Sequence, residues 1–224
     1  MSLTVDLHHH AVPDFYWEAS NEDGEATGGI TPPGWSAAGD LAYLDEAGID
    51  LAVLSISAPG VHFGDDAAAR TLARRSNEYL ADLIRDRPDR YAALAAIPLP
   101  DLDGAITELD YALTTLGLDG VALMSNAGGR YLGDSHFDEL FAELQRRAAT
   151  VFVHPTVSPD PIAHTLGLPD TLLDFPVETP HGRSPSSTTA TPSHARPTSS
   201  TCSRTPAERS HTSLHGSPSS MTWA

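Results

Sequence analysis

The chain has 224 residues, a formal net charge of −17 and 13 basic residues, all of them Arg. That length holds one domain of barrel or doubly wound size. The acidity argues against nucleic acid or an anionic membrane as partner, and no apolar run approaches membrane-spanning length.

The average hides two unlike parts. Residues 180–224 contain 12 Ser, 8 Thr and 6 Pro, with Leu214 the single branched aliphatic residue. Such a segment buries too little apolar surface to offset the entropy of ordering, so it reads as a disordered tail. It carries Arg183, Arg196, Arg204 and Arg209 against Glu208, which leaves residues 1–179 at −20. The lone Cys202 excludes a disulfide within the chain and fits a reducing cytoplasm. We read no secretory leader at the N-terminus, which enters a strand directly.

Residues 1–179 alternate strand and helix. Leu3–His8 reads as the first strand, followed by a polar, Gly/Pro-rich loop over 18–37. Ala38–Ala47 reads as a helix stopped by Gly48, and Asp50–Ser57 as the second strand. Asp65–Arg87 is an amphipathic helix with Leu72, Tyr79, Leu80, Leu83 and Ile84 on one stripe. Tyr91–Ile97 is the third strand, Asp103–Leu116 a helix closed by Gly117, and Gly120–Met124 the fourth strand. Phe137–Ala148 is a helix, and Thr150–Val153 the fifth strand, ending at His154-Pro155. Such alternation means right-handed βαβ units around a parallel sheet, either open or part of a (β/α)₈ barrel. In both, function sits at the C-terminal strand ends.

Three histidines lie there. Successive strand side chains point to opposite faces, so His8 and His10 share a face and His9 does not. His154 ends another strand. Three neutral imidazoles suit zinc, and also manganese or iron if a carboxylate joins. Asp6, two residues before His8, shares the face of the pair and is either an orienting group or a buried polar residue at the sheet floor. His9 faces the helices and packs. His62 and His136 are expected in solvated loops. Asn126–Arg130 follows the fourth strand, and its backbone or Arg130 is a candidate contact for an anionic substrate, beside the plainer reading of an ordinary turn. No phosphate-binding loop follows a strand, and Ser55 and Ser57 lack a nucleophile elbow.

Several segments together resemble the amidohydrolase superfamily, in its aminocarboxymuconate-semialdehyde decarboxylase branch: DLHHH (6–10), PPGWS (32–36), LSISAPGVHFGD (54–65), GRYLGD (129–134), FDELFAEL (137–144) and VFVHP (151–155). The resemblance spans nearly all of 1–179 and implies a (β/α)₈ barrel with one divalent metal, usually zinc. It implies that His8, His10 and His154 are the metal ligands and that the substrate is a small unsaturated or aromatic carboxylic acid, losing CO₂. A hydrolase of the same fold, splitting a lactone or amide, is the alternative. The family often forms dimers.

The resemblance also calls for an acid/base histidine, in a His-x-Gly-Gly motif, and a last-strand aspartate. Neither is visible here, because the match fades near Val177–Thr179. Read one base early, codons permitted for Ser203–Thr212 spell Leu-Ala-His-Ala-Gly-Gly-Thr-Ile-Pro-Tyr, the missing motif. The sequence therefore suggests a one-base shift near codons 177–179, with 180–224 out of frame; a natural Ser/Thr/Pro-rich tail is the alternative. The expectation is a partial TIM barrel of about five βα units with open edges at its first and fifth strands. Such a product would be poorly soluble, metal-poor and inactive, at most a metal-binding or interaction fragment.

Overall fold

A computed structural model describes residues 3–20, 34–159, 174–176 and 178. The chain divides into two units, Met1–Ala190 and Thr191–Ala224, and all described residues lie in the first. Readings on 21–33 and on the tail 180–224, including its disorder, fall outside them.

Five parallel strands form one sheet in the order β1 (Val5–His10), β2 (Leu51–Ser55), β3 (Tyr91–Ala96), β4 (Gly120–Met124) and β7 (Val151–His154). Between β4 and β7 lies a small hairpin of β5 (Asn126–Ala127) and β6 (Arg130–Tyr131). Its two-residue turn is Gly128-Gly129, at φ 57° and 75°. Positive φ at both central positions is what a tight right-twisting hairpin needs, and glycine adopts it without strain. Asn126–Arg130 thus belong to a hairpin and not to a plain connection from the fourth strand into the next helix.

Three of the helices start where a side chain caps them. Ser36 accepts from the Gly39 amide at α2 (Ala37–Ala47), Asp65 from Ala68 at α3 (Asp66–Asp86), and Asp101 from Gly104 at α4 (Leu102–Asp110). Each satisfies an amide that has no partner within its helix. Gly48, at φ 68°, ends α2 as expected. The expected Asp103–Leu116 helix changes character: α4 ends at Asp110 and a π-turn runs from Tyr111 to Leu116. Two elements went unforeseen or shifted. A short helix, α1 (Asp14–Ser20), takes up the first residues of the stretch read as the 18–37 loop. The first strand starts and ends two residues later than expected, so all three adjacent histidines lie within it.

Apolar alternation explains the core. β3 is buried along its whole length, as a strand covered on both faces must be. One cluster packs α2 and α3 on β2 and β3 through Leu44, Leu54, Leu80 and Tyr91; another packs α4 and α5 (Asp138–Arg146) on β4 through Leu109, Val121, Phe137 and Leu140. Among the described residues β1 and β7 pair on one side only. Leu3, just before β1, and Val5 and Leu7 on it are 64%, 39% and 46% exposed, which fits a sheet edge and face built to be covered. This is a curled part of a TIM barrel with its helices in place.

Candidate metal centre

β1 and β7, the two outer strands, each deliver histidine to one point. The Nε2 atoms of His8 and His10 lie 3.0 Å apart, and those of His10 and His154 lie 3.1 Å apart. Donor atoms of all three lie within 4.8 Å of one another, the one such cluster among the described residues. His154 is buried, His10 half-buried and His8 exposed.

Ring-nitrogen roles follow from the partners. His154 Nδ1 meets the Pro155 carbonyl oxygen. A carbonyl only accepts, so Nδ1 carries the proton and Nε2 keeps its lone pair. Ser55 donates its hydroxyl to the His9 carbonyl and accepts from His10 Nδ1 at 3.1 Å, so His10 is in the same tautomer. Burial, reinforced by the neighbouring histidines, holds the His10 pKa down at about 3. Burial holds His154 at about 4, outweighing its bond to Pro155. At neutral pH two lone pairs therefore face each other at 3.1 Å. A shared cation reconciles that contact, and these residues fit a divalent metal ion by geometry and donor type.

A bulge shapes β1. Asp6 pairs with Ala52 and His9 with Leu54, so three steps on β1 oppose two on β2. The extra residue removes Asp6 from the face of His8 and His10 on which simple alternation places it. Its carboxylate instead accepts from the His8 amide at 3.0 Å and meets His9 Nδ1 at 3.0 Å. His9 does face the helices, but as more than packing. Its Nε2 lies 2.7 Å from Asp40 Oδ1 on α2, and Asp40 Oδ2 accepts from the Tyr91 hydroxyl on β3 at 2.6 Å. Burial lowers the His9 pKa, but the hydrogen bonds to Asp40 and Asp6 outweigh it and the net shift is upward. This Asp6–His9–Asp40–Tyr91 chain was not read from the sequence. The one available signal was Asp40, a carboxylate four residues before Leu44 on the inward face of α2.

The remaining candidates separate. Arg130, on β6, is half-exposed, and its guanidinium lies 3.5 Å from Asp134. His62 is not solvated as expected: its side chain is 17% exposed, Nε2 lies 2.8 Å from Asp66, and Nδ1 accepts from the Gly64 amide. His136 sits in a short 3₁₀ turn with Nε2 3.3 Å from the Pro100 carbonyl oxygen. A cavity of about 200 Å³ opens at the same strand ends, lined by Ile56, Val61, His62, Met124, Asn126 and Thr156 among others. Met124 is the register partner of His154, although none of the three clustered histidines lines the cavity. Glu178 also lies here, 1% exposed, accepting from Ser125 at 3.2 Å and Tyr131 at 2.8 Å.

The sequence profile described as amidohydrolase matches residues 5–201. The chain belongs to the amidohydrolase family. It is 37% identical over 186 residues to decarboxylase yanB of Aspergillus niger, covering 78% of this chain and 50% of that protein. It is 36% identical over 181 residues to 6-methylsalicylic acid decarboxylase acuB of Aspergillus aculeatus, covering 79% and 55%. It is 28% identical over 178 residues to 2-amino-3-carboxymuconate-6-semialdehyde decarboxylase of Dictyostelium discoideum, covering 69% and 49%. Among solved structures, 5-carboxyvanillate decarboxylase of Novosphingobium aromaticivorans, complexed with manganese and 4-hydroxy-3-methoxy-5-nitrobenzoic acid, superposes with a TM-score of 0.67 at 26% identity, covering 79% of this chain and 58% of that one. The chain spans about half the length of the curated relatives it matches. No helix among the described residues is long and apolar enough to cross a membrane.

Proposed function

We propose that this chain is the metal-binding part of a decarboxylase for small aromatic carboxylic acids, with His8, His10 and His154 as the ligands of one divalent ion. The convergence of those three Nε2 atoms is the observation that carries the reading. Relatives named as decarboxylases of 6-methylsalicylic acid and a neighbour holding manganese with a substituted benzoic acid support it. Zinc suits an imidazole set with open positions, and manganese suits it once a carboxylate joins.

When bound, such an ion supplies Lewis-acid polarisation of oxygen ligands. The chain's own residues do the rest. Ser55 and the Pro155 carbonyl fix two imidazoles with Nε2 forward. Burial keeps His10 and His154 neutral, so no proton has to leave before they bind. The cavity beside Ile56 and Met124, on the strand that pairs with that of His154, offers an aromatic ring an apolar wall.

The acid/base histidine and the last aspartate have no counterpart among the described residues. Because the three histidines are already assembled, the expectation of a metal-poor product is revised: we read this chain as able to bind added metal, without turnover, and residues 180–224 as out-of-frame translation. The test has two arms, each with Mn²⁺ and 6-methylsalicylic acid and with CO₂ measured. The chain as given releases none. A chain with the reading frame restored after codon 177 releases CO₂. Cleavage of a lactone or amide by the restored chain, without CO₂, would replace the decarboxylase by the hydrolase of the same fold.

A further inference from the structure

The three imidazoles are not held alike. His10 and His154 each bond a neighbour through Nδ1, which fixes the direction of Nε2. His8 Nδ1 has no hydrogen-bond partner among the described residues. Its ring rests edge-on against His10, His154 and Phe152. The direction of His8 Nε2 is therefore set by those ring contacts and by its backbone, and that backbone sits in the bulge between Asp6 and His9.

The bulge is tied down from behind. Asp6 Oδ1 accepts the His8 amide, and Asp6 Oδ2 meets one nitrogen of His9. The other His9 nitrogen is 2.7 Å from Asp40. Asp40 is 8% exposed and held in turn by the hydroxyl of Tyr91, itself 2% exposed. One carboxylate on α2 thus links the bulged edge strand β1 to the fully buried strand β3. An edge strand paired on one side only gains most from such a tie.

We propose that Asp40 is a positioning residue for the metal centre: by gripping His9 it holds the β1 bulge in the shape that turns His8 Nε2 toward His10 and His154. This rests on the reading of the three histidines as metal ligands. Asp40 touches neither the ion nor a substrate and acts through His9 and the backbone of His8.

The test is a Co²⁺ titration of the full chain, followed by visible absorption, with thermal unfolding of the metal-free protein measured in parallel. Wild type takes one ion. Asp40→Asn keeps the volume, removes the charge and is expected to weaken Co²⁺ binding roughly 10–100-fold, the range for groups that orient a ligand. It is also expected to alter the absorption band, because the His8 donor is displaced. Leu44→Ala is the structural control. It lies one turn along the same helix, fully buried and with no polar group to bond His9, and is expected to lower the unfolding temperature while leaving affinity and band unchanged. Tyr91→Phe, a milder cut of the same chain, is expected to weaken binding several-fold and keeps the idea testable if Asp40→Asn folds poorly. Wild-type affinity and spectrum in both Asp40→Asn and Tyr91→Phe would overturn the proposal. So would an equal loss in Leu44→Ala. A wild type that takes no Co²⁺, or one whose uptake survives His8→Ala with His154→Ala, would instead overturn the metal-site reading beneath it.

Discussion

His10 and His154 face each other Nε2 to Nε2 at 3.1 Å, although they stand on opposite outer strands and 144 positions apart. In a flat sheet, four inter-strand spacings of about 4.8 Å would put those strands about 19 Å apart, beyond the reach of two imidazoles. The sheet must curl for them to meet. The histidine contact and the barrel curvature are the same fact, and three imidazoles that could hold a metal ion are brought together by the five described parallel strands.

Burial of these two histidines makes the metal-free protein sensitive to acid. Burial lowers the pKa of His10 to about 3 and of His154 to about 4, from an ordinary 6.5. The folded state therefore refuses protons that the unfolded chain accepts below pH 6.5. Their contribution is fully present above 6.5 and is lost as pH falls toward 4 and then 3. His9 runs the other way: its pKa is raised, so its share is present below 6.5 and lost as pH rises through its folded value. Urea midpoints of the metal-free chain are expected to fall steadily from pH 6.5 to 4. His154→Gln is expected to flatten that slope, and an unchanged slope would contradict the assignment.

Asn77 is expected to be among the costlier polar residues to remove. Its side chain accepts from the Ala96 amide and donates to the Ala96 carbonyl and to Glu108, each at 2.8 Å. Asn77→Ala leaves buried groups at the end of β3 without partners, at about 1–3 kcal/mol each. A loss below about 1 kcal/mol in chemical denaturation would show that water replaces the amide.

Ser125 ties three elements at the mouth of the sheet. Its amide donates to the His154 carbonyl, its hydroxyl accepts from the Thr156 amide, and it donates to Glu178. Ser125→Ala removes a donor from a buried carboxylate and is expected to cost about 1–3 kcal/mol. Ser125→Ala with Glu178→Gln is expected to recover part of that loss. Additive losses in a double-mutant cycle would contradict the direct link.

Much of this was legible. Alternation of period 2 put His8 and His10 on one face, and the apolar run ending at His154 placed it at a strand's C-terminal end. Amphipathic stripes located α3 and α5, and Gly48 and Gly117 marked helix ends. What escaped depends on contacts distant in sequence. The bulge that moves Asp6 to His9 has no local signature, because it arises from the register of β1 against β2. Asp40 reaches His9 across 31 positions and Tyr91 across 51. His62 reads as a loop histidine until its turn folds back onto Asp66. In each case the deciding partner comes from another element, and periodicity is silent about partners.

The central claim is tested most directly by isothermal titration of the full chain with Mn²⁺, beside a variant carrying His8→Ala, His10→Ala and His154→Ala. The account predicts one ion per chain for the former and none for the latter, with both folded by circular dichroism. Equal uptake by the two, or none by either, would contradict it.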